Sequence, residues 1–211
     1  MRTAARLTAA VLAACLAAGG ALGGCASGDD DAPVVAVTLP PGSLAAQVLQ
    51  PDDVPDGLVP LLAQTGKADI SRIAGFSSDS TAAEASLREH GFDEAYVVQY
   101  GDPKSGRYIV NVVAKFDTVD GATEDLTADL ESARATGTPF PVTGLGDQAG
   151  GVRAGTASPS ASPAPDDLVT VRWRVGATTW LLAVGAPGTV EQDAVVQLAQ
   201  IVLKRATDEK K

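Results

Sequence analysis

Few side chains in this 211-residue chain are equipped for covalent or acid–base chemistry. It holds one histidine, His90, and two cysteines, Cys15 and Cys25. A serine hydrolase of the elbow type needs Gly-x-Ser-x-Gly, which does not occur. His90 stands directly before Gly91 at the end of a helical pattern, where a protonated imidazole meets the negative end of the helix. It has no nucleophile partner in the sequence and is read as a helix-end residue. Glu124, Asp125, Asp129 and Glu131 are dense enough to suggest a metal site or a glycosidase pair. Their helical spacing places them on a solvated face instead. Asp29-Asp30-Asp31 lacks the Gly-spaced oxygen ligands of a calcium loop. Gly144-Leu145-Gly146-Asp147-Gln148-Ala149 lacks the Lys-Ser/Thr ending of a phosphate loop. No catalytic residue, metal ligand or cofactor is assigned. The chain reads as a non-enzyme, with a carboxylate-dependent hydrolase as the last-ranked alternative.

The remaining reactive group is Cys25. Arg2 and Arg6 form a positive start, Leu7 to Ala18 is apolar, and Gly19-Gly20-Ala21 precedes Leu22-Gly23-Gly24-Cys25. A positive start, an apolar stretch and small residues at the end are the parts of a secretory signal. Leu22-Gly23-Gly24-Cys25 resembles the bacterial lipoprotein lipobox. The resemblance implies cleavage before Cys25, a lipidated Cys25, and attachment to the outer face of the cytoplasmic membrane. Residues 1–24 are then the signal peptide and residues 25–33 a polar tether. The competing reading is an uncleaved anchor, since the uncharged run from Leu7 to Gly28 is long enough to span a bilayer. Its second half is mostly Gly, Ala and Ser, which favours cleavage. Cys15 would leave with the leader. The lipidated thiol would then be the only one, which excludes a disulfide framework, a zinc–thiolate site and a cysteine nucleophile.

Loss of Arg2 and Arg6 takes the formal charge from −10 to −12. Such acidity opposes phosphate binding, so no nucleic-acid partner is expected. The partner that follows is the membrane, through Cys25, together with a small or lipidic ligand or an envelope protein.

Residues 34–207 are expected to form one domain. Val34 to Leu39 reads as a strand and Ser43 to Gln50 as a short helix. Thr81 and Glu84 fit a capping box opening a helix that Gly91 closes. Ala95 to Tyr100 and Arg107 to Phe116 read as strands around a turn. Ile109, Asn111, Val113 and Lys115 share a mixed, partly exposed face of the second. Asp117 is expected to cap a helix running to about Ala135, with Val119, Ala122, Leu126, Leu130 and Ala133 as its apolar stripe. Residues near 150–167 are Ser-, Pro- and Ala-rich and read as a disordered insertion, a site for O-linked sugar by composition. Leu168 to Val175 and Thr178 to Val184 form a hairpin around Gly176-Ala177. Thr189 and Gln192 suggest a capping box for a last helix whose stripe is Val190, Ala194, Leu198, Ile201 and Val202. Asp208 to Lys211 should fray. Hairpins followed by one-sided helices imply an α+β fold: a two-layer sandwich with an antiparallel sheet and helices packed on one face.

Two segments carry a further resemblance. Leu-Gln-Pro-Asp-Asp-Val-Pro-Asp-Gly, from Leu49, resembles an entry loop of secreted actinobacterial lipoproteins. Val-Thr-Val-Arg-Trp-Arg-Val-Gly-Ala-Thr, from Val169, follows Gly-Leu-Gly-Asp-Gln-Ala and precedes a strand and a long helix. That arrangement, roughly Phe92 to Ala206, is similar to the second half of actinobacterial secreted sensor-like domains. They include the extracellular domain of a mycobacterial receptor kinase and many lone lipoproteins. The resemblance implies a solute-binding or sensing module and carries over no binding residue. Trp173, Trp180 and Tyr108 are candidate ligand-lining residues, although aromatics on apolar strand faces usually pack in a core. Arg172 and Arg174, on the other face, are candidates for an acidic partner or for local ion pairs. A protein-interaction or assembly factor of the cell envelope is the alternative function.

Overall fold

A computed structural model describes residues 43–77, 79–155 and 167–208. The expected signal peptide, Cys25, the tether and the strand at Val34–Leu39 lie outside the described residues, as do the insertion from 156 to 166 and the end of the tail.

The chain alternates hairpins and helices. A 3-10 turn at Leu44–Gln47 and another at Pro51–Asp53 precede β1 (Val59–Pro60), β2 (Gly66–Ala68), α1 (Ile70–Ala74) and α2 (Ser80–Glu89). Then come β3 (Phe92–Gly101), β4 (Tyr108–Phe116), α3 (Val119–Arg134), β5 (Thr138–Phe140) and β6 (Gln148–Gly155). The hairpin β7 (Asp167–Val175) and β8 (Thr178–Ala186) leads to α4 (Gln192–Asp208). All strands pair antiparallel in one sheet, in the order β1-β3-β4-β8-β7-β6-β5, with β2 also on β3. The α+β class and the antiparallel sheet are those expected.

The layering differs from the expected single helical face. Side chains alternate along each strand, and both sides of this sheet are apolar. Ile109, Val113, Val171, Trp173, Trp180 and Leu182 face α4, through Val195, Ala199 and Val202. Val110, Val112, Ala114 and Ala183 face the opposite way, toward Ala74, Leu87 and Ala122 of α1, α2 and α3. A sheet apolar on both sides must be covered on both. The face of β4 read as mixed is therefore buried: Ile109, Asn111 and Val113 are all at 1% exposure or less.

Local corrections have local causes. Asp79, not Thr81, caps α2 by accepting the amide of Ala82 at 3.0 Å, and Glu84 pairs with Arg88 instead of reaching back. Thr118, not Asp117, caps α3, accepting from the Gly121 amide at 3.0 Å. In α3 the stripe holds at Ala122, Leu126 and Leu130, but Val119 is half exposed. In α4 the buried stripe is Val195, Ala199, Val202 and Ala206; Ile201 is exposed, and Thr189 lies too far ahead of Gln192 to cap. The segment read as disordered from Gly150 onward is strand as far as Gly155, paired with β7. Its glycines are accounted for: a Cβ on Gly151 would sit 2.2 Å from the Phe140 ring and one on Gly150 2.8 Å from Leu130.

Candidate functional site

The sheet positions its two tryptophans side by side. Trp173 and Trp180 are register partners across the β7–β8 hairpin, stacked at 5.9 Å between centroids and 4° between planes. Both are buried. Trp180 Nε1 donates to the Gln47 carbonyl at 3.1 Å, whereas Trp173 Nε1 is buried with no hydrogen-bond partner among the described residues. Arg172 and Arg174 point to the opposite face. Arg172 Nε lies 3.3 Å from Asp129, and Arg174 Nη1 lies 3.0 Å from Asp147 and donates to the Gly176 carbonyl at 2.8 Å. The five candidate residues are thus not brought together. The tryptophans share a core, the arginines share a face in separate ion pairs, and Tyr108 stands at the start of β4.

Tyr108 lines an apolar cavity of about 110 Å³ at the end of the sheet. Leu58, Ile109, Val184, Val190, Ala194 and Leu198 line it as well. The Tyr108 ring lies over Gly185, where a Cβ would come within 2.4 Å of it. Burial pushes the Tyr108 phenol up to about 12. Arg107 also lines the cavity, and its guanidinium is held by the Asp56 carbonyl at 3.1 Å and by Asp102 at 3.3 Å. Asp102 is lowered to about 2, first by the Ser105 hydroxyl and then by the Lys104 amide. A space of this size accepts a group of a few methylenes or one ring. Ala194 and Leu198 were legible as apolar positions of the last helix. Pro55, inside the entry-loop segment, and Leu58, just beyond it, carried no signal as cavity residues.

A second cluster was missed by sequence. His90 Nδ1 lies 3.7 Å from Asp125 Oδ1, and their side chains are only 12% and 17% exposed. Asp125 is thus turned inward rather than lying on the wet side of α3. Burial raises its carboxyl to about 8, with Asp129 adding to the shift and Arg172 opposing it. The helices meet closely here, since a Cβ on Gly121 would lie 1.9 Å from the His90 carbonyl oxygen. That glycine inside an otherwise ordinary helix was the available signal for the contact. Among the described residues no cluster of His, Cys, Asp and Glu is arranged to hold a metal ion. No helix among them is long and apolar enough to cross a membrane.

No family model matches the chain, and no curated protein matches it in sequence. Among solved structures it is similar to the extracellular domain of PknH from Mycobacterium tuberculosis, with a TM-score of 0.59 and 10% identity. The match covers 81% of this chain and 97% of that domain. The chain therefore has the fold of that extracellular domain.

Proposed function

We propose that this protein is a non-catalytic binding or sensing module of the extracytoplasmic space, held to the membrane through a lipid on Cys25. The supporting observation is the fold correspondence, which spans 97% of an extracellular domain. The cavity beside Tyr108 is the ligand site in this reading, and its apolar lining suits the hydrocarbon end of a small or lipidic envelope component. The test is mass spectrometry of the full chain, purified in detergent from an actinobacterial host, under native and denaturing conditions. A mass excess lost on denaturation identifies a retained ligand, and Leu198→Trp, which fills the cavity, should abolish it. Ligand retained undiminished in Leu198→Trp would refute the assignment of the cavity. The anchor is tested separately: Cys25→Ala should move the protein from the detergent phase to the aqueous phase, and continued detergent partitioning would exclude lipid at Cys25.

A second reading, a protein-interaction role, is favoured by one feature. Val59 and Leu62, at the β1 edge of the sheet, are 51% and 78% exposed. Large apolar side chains gathered at a sheet edge are unusual without a partner. Leu62→Glu should then abolish cross-linking to an envelope protein while leaving any bound ligand in place. Unchanged cross-linking would remove this reading.

A further inference from the structure

One wall of the apolar cavity hangs from a stretch without regular structure. Thr189 and Val190, between β8 and α4, belong to neither strand nor helix. Val190, Glu191, Ala194 and Leu198 line the cavity from this stretch and from the first turns of α4. Val190 is buried, so its backbone groups need partners within the protein. Both partners are side chains. The Val190 amide donates to Asp167 Oδ2 at 2.8 Å, and the Val190 carbonyl accepts from Arg153 Nη2. Arg153 Nε lies 3.4 Å from Asp167 Oδ1, so the two residues close a ring on Val190. Arg153 stands near the end of β6, and Asp167 opens β7. Neither lines the apolar cavity.

Packing alone does not fix this wall. A second, polar cavity of about 170 Å³ is lined by Arg153, Thr189, Glu191, Gln192 and Asp193. Glu191 lines both spaces. A segment that adjoins two open spaces lacks the dispersion contacts that hold a core residue in place. The Arg153–Asp167 pair supplies the missing constraint. Charge-assisted bonds to both the amide and the carbonyl of one residue fix where the segment lies and how it is rotated. We propose that Arg153 and Asp167 are positioning residues of the apolar cavity. They fix Val190 and the start of α4, and so set the width of the cavity and the size of the group it accepts, without touching the ligand. This role rests on the reading of the cavity as the ligand site. It places β6 and β7, which contribute no lining residue, within the binding apparatus.

The probe is xenon, which enters apolar cavities. It is applied under pressure to the full chain in detergent, with Val, Leu and Ala methyls labelled for NMR. In wild type the Val190, Ala194 and Leu198 methyl shifts should move and saturate with xenon pressure. Asp167→Ala should bind xenon about fivefold or more weakly, because only molecules with the wall in place remain competent. Arg153→Met keeps the aliphatic stem, loses the donors, and should weaken binding in the same way. Asp167→Asn keeps an acceptor for the Val190 amide and should restore most of the affinity. Leu126→Ala, buried in α3 on the opposite face, lowers general stability and should bind xenon as wild type does. Equal affinity in wild type, Asp167→Ala and Arg153→Met would overturn the positioning role while leaving the cavity as the ligand site. Equal weakening in Leu126→Ala would overturn it too. No xenon shift at these methyls in wild type would instead remove the cavity reading, and the positioning role with it. A second measurement needs no ligand and serves if Asp167→Ala does not fold. Methyl relaxation dispersion at Val190 and Ala194 should be flat in wild type and show exchange in Arg153→Met. Flat profiles in both would refute the proposal.

Discussion

The two faces of this one sheet are closed by different chemistry. The face that carries Trp173 and Trp180 is sealed by apolar packing against α4 and by neutral hydrogen bonds between Asn111, Tyr100 and Trp180 and the backbone of Gln47 and Leu49. The face that carries Arg172 and Arg174 is sealed by α1, α2 and α3, and its polar contacts are ionisable: Arg172 with Asp129, Arg174 with Asp147, His90 with Asp125. The first face is held mainly by neutral pairs, with the Asp53–Arg205 and Arg153–Asp167 ion pairs toward its margins and Trp173 Nε1 without a partner among the described residues. The second holds a carboxylate away from water beside another acid. Stability on the tryptophan face should therefore track packing, and stability on the arginine face should track pH.

The largest expected effect lies on the tryptophan face. Trp173→Ala removes a fully buried ring and its stacking partner's contact, and should cost about 3–5 kcal/mol in denaturant unfolding. A cost near zero would mean that the stack is not part of the core. Next comes Asn111→Leu, which leaves the Leu49 amide unpaired in a buried site. It should cost about 1–3 kcal/mol and should speed exchange of the Leu49 amide.

Asp125→Asn tests the other face through its pH dependence. The folded-state pKa of Asp125, about 8, lies above its ordinary value of 3.8. The folded protein thus binds this proton more tightly than the unfolded chain does. The associated stability is fully present below about 3.8, and it is lost as pH rises through about 8. Wild type should lose stability across that window more steeply than Asp125→Asn, and the variant should be the more stable protein above pH 8. Parallel pH profiles from thermal melts would contradict the distinction between the faces. The smallest effect is expected at Asp93→Ala, which breaks an exposed pair with Lys115 whose side chains are 42% and 49% exposed. It should leave the unfolding midpoint almost unchanged, and any difference should shrink in high salt.

Much of this fold was legible because it is local. Alternation marked β3, β4, β7 and β8, and Gly91 and Gly176 have the positive φ that their turns require, 74° and 58°. Caps were misplaced by one or two residues because several polar side chains compete near each helix start and only backbone direction chooses among them. The α4 stripe was misplaced because apolar residues surround that helix on more than one side. Of the candidate site, Tyr108, Ala194 and Leu198 were legible as apolar or aromatic positions, but not as neighbours. His90 and Asp125 are 35 residues apart in the chain and meet only because α2 and α3 pack through Gly121.

The sequence by itself determined the α+β class and the hairpins, since these follow from residue type, period and short-range sterics. It also carries the lipobox-like segment, whose meaning is independent of the folded domain. Only the tertiary structure decided that helices cover both faces, that Asp125 is turned inward, and that residues 48–53 lie against the sheet under Arg205. Each of these depends on contacts between distant parts of the chain, where burial and charge are set by what the fold places opposite a residue rather than by its neighbours in sequence.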